Sequence, residues 1–126
     1  MRSGARVLYL ILSWLLVAGL VVQVFLAGLG VFDDPARFAV HRDFGYWLSI
    51  LPVLMILAAL VGGMGRRMAL LPLAVFGLFF LQSIFVAFRT SSPMIAALHP
   101  VNGFVILLIA IVIGREAWLT RQASPA

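Results

Sequence analysis

The chain has 126 residues, 64% of them hydrophobic and only 10% charged, with a net charge of +5 and no cysteine. This composition lies far outside that of soluble domains, and the missing thiols exclude disulfides, covalent c-type haem attachment, cysteine-ligated iron–sulfur clusters and cysteine zinc sites. The arginines mark the ends of apolar blocks and form no patch, so nucleic acid is not an expected partner.

Four apolar blocks, about 7–31, 44–65, 68–88 and 94–114, are each long enough to cross a bilayer. They fill the chain, so the expectation is an all-α, four-helix transmembrane bundle: one integral membrane domain over 1–126, surrounded by lipid. The first block is too long for a signal-peptide core and lacks a convincing cleavage site, so it reads as a retained helix. Within it, Gly19, Gln23, Ala27 and Gly30 share one helical face, which permits close approach of another helix or of a flat ligand. Asp34-Pro35 then signals a helix start.

The second block opens with "VHRDFGY", carrying His41, Arg42, Gly45 and Tyr46, and ends near Gly62-Gly63. The third carries Gln82 and closes before Arg89. Ser92-Pro93 is the next start signal, and the fourth block opens with "LHPVNGF", carrying His99, Gly103 and Phe104. Inside a helix Pro100 would remove a hydrogen bond, so it marks the true start of the last helix, with 94–98 as a short interfacial turn.

The two halves share an outline. Each reads [Asp/Ser]-Pro-x5-His-x3-Gly-aromatic, with His41 and His99 58 positions apart and Gln23 and Gln82 59 apart. A duplicated two-helix unit accounts for this, and chance similarity within apolar text is the competing account. Charge placement sets the topology. Arg2, Arg6, Arg66, Arg67, Arg115 and Arg121, with Glu116, lie on the side of the termini and the turn between blocks two and three, and sum to +5. Arg37, Arg42 and Arg89 on the other side are balanced by Asp33, Asp34 and Asp43. The positive-inside rule therefore puts both termini in the cytoplasm, with Trp14 and Trp118 as anchors nearer that side. The halves then run in the same direction, related by an axis along the membrane normal, and both histidines fall in the outer leaflet.

Three uses of the histidine pair are open. A b-type haem clamped between His41 and His99 would draw on inward-facing bundle side chains. Gly45 and Gly103, one turn below the ligands, would leave space for the macrocycle, and Arg42 and Arg89 would meet its propionates. Gln23 and Gln82 would line the same region. The bland use is packing: small residues let membrane helices approach, and an interfacial histidine bonds to a glutamine on a neighbouring helix. Transport or another metal is the third, but His-x-x-x-His and His-x-x-Glu spacings are absent and every carboxylate lies at a block end. No Ser-His-Asp set, phosphate loop or carboxylate pair supports hydrolytic or transferase chemistry, so enzyme activity stays open.

The four blocks, "VQVFLAGLG" before "HRDFGY", and "LHPVNGF" opening the last helix resemble a family of small bacterial four-helix membrane proteins of unknown function. The resemblance covers nearly the whole chain, implies a bacterial plasma membrane and implies no activity. More distantly, the His-Arg pair followed by glycine is similar to one half of haem A synthase, a tandem of four-helix units whose histidines bind haem. That likeness implies His41 and His99 as axial ligands of haem. The chain departs from it in having one unit, no outer cysteines and no glutamate placed before His41, so haem A synthesis is not implied. The expectation is a haem-b protein of electron transfer or haem handling, working with a redox or membrane partner. The alternative is a cofactor-free accessory protein packing against partner helices. The glycine faces could serve within the bundle or between copies, which leaves a homo-oligomer open.

Overall fold

The computed structural model describes residues 1–122 as four helical rods running up and down, with no strand among the described residues. The rods span Arg2–Phe32, Pro35–Gly62, Arg66–Ala87 and Pro93–Gln122, each long and apolar enough to cross a membrane. Helices long enough to cross are therefore present at all four expected blocks, and three of them run well past what hydropathy indicated, the first and second at their starts and the fourth at its end. Backbone hydrogen bonding continues into the polar interface, where side-chain hydropathy has already fallen.

The first rod is one helix, α1 (Arg2–Phe32). It closes on Asp33, whose N–H bonds to the Leu29 carbonyl, and Asp34 then accepts the Ala36 N–H at 2.9 Å to start a 3-10 turn over Pro35–Arg37. The second rod continues as α2 (Phe38–Leu48) and α3 (Ile50–Gly62), broken at Ser49. Pro52 explains the break: it has no N–H for the Leu48 carbonyl four residues back. α3 ends on Gly63, whose φ of +58° is the left-handed conformation that glycine adopts freely.

The third rod is α4 (Arg66–Ala87), with Pro72 inside it. That proline orphans the carbonyl of Met68, and the fold repairs the loss from a different helix. The hydroxyl of Tyr9, fully buried in α1, donates to the Met68 carbonyl at 2.9 Å. A spanning helix tolerates proline where a neighbour re-satisfies the freed backbone group. The fourth rod is a single turn, α5 (Pro93–Ala96), followed by α6 (Leu98–Gln122). Pro100 falls in the first turn of α6, where the N–H groups have no helical acceptor anyway, so the expected helix start holds.

Around the bundle, α1 packs on α3 and α6, and α4 packs on the same two, which leaves α1 and α4 on one diagonal. The end that holds the N-terminus, the 63–65 turn and Gln122, called here the terminal end, is tied together. Arg6 Nε donates to the Gly62 carbonyl at 3.0 Å, and Arg67 bonds Glu116 twice, at 2.7 and 3.1 Å. Tyr9, Leu16, Met55, Val75, Ile106 and Ile113 are fully buried. The opposite end is looser. α2 lies along α1, yet no Cα of α2 comes within 8 Å of one in α4 or α6. The break at Ser49 thus turns the outer part of the second rod onto α1 and away from the second half.

Candidate functional site

Both histidines lie at that looser end, near the start of α2 and of α6, and both are half-buried. Each is held by the same kind of bond. His41 Nδ1 lies 3.0 Å from the backbone carbonyl oxygen of Gln23, and His99 Nδ1 lies 3.2 Å from that of Gln82. A carbonyl can only accept, so Nδ1 carries the proton in both rings. With Nδ1 so engaged, Nε2 is the ring nitrogen left available to a ligand. The expected pairing of histidines with glutamines is therefore present, but it runs through the glutamine main chain and not its side chain.

The two rings reach across the bundle to one another, with centres 6.1 Å apart and planes inclined at 65°. Because the backbones of α2 and α6 stay apart, the imidazoles bridge a gap that their helices leave. Phe38 stands edge-on to His41 with ring centres 6.3 Å apart. Its ring lies against Gly30, where an added Cβ would come within 2.8 Å of it.

The glycines beneath the histidines serve differently from the expectation. A Cβ on Gly45 would stand 2.6 Å from Gln23 Nε2, and one on Gly103 would stand 3.3 Å from Gln82 Nε2. The space expected for a macrocycle beside each glycine is filled by a glutamine amide. The small-residue face of α1 is likewise taken by the second rod: Leu48 sits over Gly19 and Phe38 over Gly30. Close helix approach, not a flat ligand, uses those positions.

The two amides are not equivalent. Gln82 Oε1 accepts from Asn102 Nδ2 at 2.9 Å, and the same nitrogen donates to the Leu78 carbonyl at 2.9 Å. The matching position in the first half is Phe44, and the buried Gln23 Oε1 has no hydrogen-bond partner among the described residues. Asn102 was not singled out in the sequence. Its position one turn beyond His99, in an otherwise apolar block, is the signal that would have found it.

Of the expected propionate cations, Arg42 is exposed and bonds its neighbour Asp43 at 2.8 Å. Arg89 is exposed at the same end and makes no ion pair among the described residues. No group of three or more histidine, aspartate or glutamate side chains gathers anywhere among the described residues. A zinc-type site, which needs three or four protein ligands, therefore has no candidate there.

No curated protein and no solved structure matches the chain, so the likeness to haem A synthase rests on the quoted residues alone. The family of unknown function DUF6220 matches residues 23–90, a segment that takes in Gln23, His41, Gly45, Gln82 and Arg89. That is more than half of the chain, and the protein belongs to this family.

Proposed function

We propose that the protein binds b-type haem between His41 and His99 and serves electron transfer or haem handling at the outer side of a bacterial plasma membrane. The observation that carries this reading is the 6.1 Å between ring centres, together with the Nδ1 bond on each ring. With Nδ1 of each ring engaged and the two rings adjacent, His41 and His99 are the side chains that would hold the iron. The backbone carbonyls of Gln23 and Gln82 fix the tautomer and orient each ring, the role that outer partners of metal-bound histidines perform. Bound haem would supply reversible one-electron transfer. Arg89, free at the same end, supplies a cation for a propionate, whereas Arg42 would have to leave Asp43 to do so. The arginine bias makes the terminal end the cytoplasmic one. A redox or membrane protein is then the expected partner.

The competing reading, a cofactor-free accessory protein, draws on the glutamine amides that occupy the glycine spaces. A spectrum separates the two. Protein purified in mild detergent from haem-supplied cells is expected to show a Soret band and, once reduced, sharp b-type peaks. His41→Ala or His99→Ala should each lose the low-spin spectrum, and the double change should do little more, because two ligands of one iron act as a unit. Colourless protein that takes up no haem in titration would hand the function to the accessory reading. An unchanged low-spin spectrum in either single variant would remove the paired-ligand geometry.

A further inference from the structure

A groove of about 400 Å³ opens at the terminal end, far from the histidines, lined by Trp14 of α1 and by Ile111, Arg115 and Trp118 of α6. Its geometry follows from one small residue. Gly114 lets the Trp14 ring lie directly on the α6 backbone, where a Cβ would meet the ring at 3.2–3.4 Å. Trp14 thus forms one wall, and Ile111, Arg115 and Trp118 form the other as a single helical stripe. A second hollow of about 270 Å³, which shares Trp118 with the first, is lined also by Arg121 and Gln122. The two indoles remain 44% and 49% exposed and Ile111 39%, although they sit side by side.

The charge around the groove is unbalanced. Glu116 is the single carboxylate at this end among the described residues, and Arg67 engages both of its oxygens. Arg115 and Arg121, on either side of Trp118, are exposed and make no ion pair among the described residues. An apolar slot with indole walls, running into two unpaired guanidinium groups at the end of a spanning helix, is complementary to one kind of molecule: an acyl chain ending in an anionic phosphate. We propose that this groove is a binding site for an anionic phospholipid, its phosphate held by Arg115 and Arg121 and its chain laid on Trp14 and Ile111. Guanidinium groups pair well with phosphate oxygens, indoles settle at the headgroup level, and basic pockets between membrane helices bind anionic lipid headgroups.

Bilayers containing phospholipids brominated on the acyl chains test the site through tryptophan quenching. The chain has three tryptophans, so a Trp47→Phe variant reports from the groove indoles alone. Brominated phosphatidylglycerol, at a low mole fraction in phosphatidylcholine, should quench that variant more than brominated phosphatidylcholine at the same fraction. Arg115→Gln and Arg121→Gln should each reduce the apparent preference by about fivefold, the effect of roughly 1 kcal/mol per membrane-surface cation, with helicity by circular dichroism unchanged. A Trp14→Phe/Trp118→Phe variant, reporting from Trp47 at the other half, should show no preference. Equal quenching by the two lipids in the Trp47→Phe protein would overturn the proposal, as would a preference that survives both arginine changes or one equally strong at Trp47. Excess soluble glycerol phosphate should leave the preference intact; if it abolished it, the site would belong to a free phosphate and the lipid assignment would fail.

Discussion

Replacing Tyr9 by Phe tests the most specific energetic link in the fold. The change keeps the ring, which is fully buried, and removes only the hydroxyl that donates to the Met68 carbonyl at 2.9 Å. That carbonyl has no helical partner, because Pro72 stands where its donor would be. A buried acceptor left bare costs about 1–3 kcal/mol, while hydrogen bonds inside membrane bundles average about 0.6 kcal/mol and reach about 1.7. A loss of roughly 1–2 kcal/mol is therefore expected, the upper part of that membrane range, because here no second donor is at hand. The control is Pro72→Ala, which returns an N–H to position 72 and lets Met68 bond within its own helix. In that background Tyr9→Phe should cost about 0.5 kcal/mol or less, a coupling of roughly 1 kcal/mol between residues on different helices. Unfolding by detergent titration in mixed micelles, followed by circular dichroism, measures all four proteins of the cycle. An equal loss in both backgrounds would refute the reasoning, since Tyr9 would then act through packing and not through the carbonyl that proline exposes.

The two glycines of the repeat should respond unequally. Gly103→Ala presses a movable amide by a few tenths of an ångström and gains helix propensity, so its unfolding free energy should fall within about 0.5 kcal/mol of the parent. The Cβ of Gly45→Ala would stand 2.6 Å from Gln23 Nε2, so that amide must swing aside. As the end of a flexible side chain whose Oε1 holds no partner among the described residues, it moves at the low end of overpacking costs, about 1 kcal/mol; the same titration ranks them, and the reverse order would contradict the site geometry. For topology, tags at either end should resist protease added outside intact cells, and digestion of a C-terminal tag would put the histidines on the wrong face.

Local signals placed much of this molecule correctly. Four apolar blocks gave four spans, Asp34 caps a turn as its position before Pro35 suggests, and Pro100 lies in the first turn of α6. These features depend on hydropathy or on one turn of backbone, so neighbours in sequence suffice to specify them. The repeat was legible for the same reason: identical residues at matched spacing adopt matched local geometry, and His41 and His99 do bond to corresponding carbonyls. What each residue touches was not legible. Gly45 and Gly103 looked like space for a ligand, and the glutamines from the preceding rods fill it. Arg42 looked like a free cation, and Asp43 holds it.

The sequence by itself determined the number of spans, the charge asymmetry of their ends and the candidacy of the two histidines. A bilayer imposes length and apolarity on any helix that crosses it, and that constraint is written residue by residue. Only the tertiary structure decided that the rings stand 6.1 Å apart, that Tyr9 supplies the hydrogen bond that Pro72 denies the Met68 carbonyl, and that Gln82 finds Asn102 while Gln23 Oε1 finds no partner among the described residues. Each of these joins atoms on different helices or different turns, and such a meeting depends on how the rods cross and rotate against one another. Side-chain packing sets those angles, and no single stretch of the chain contains them.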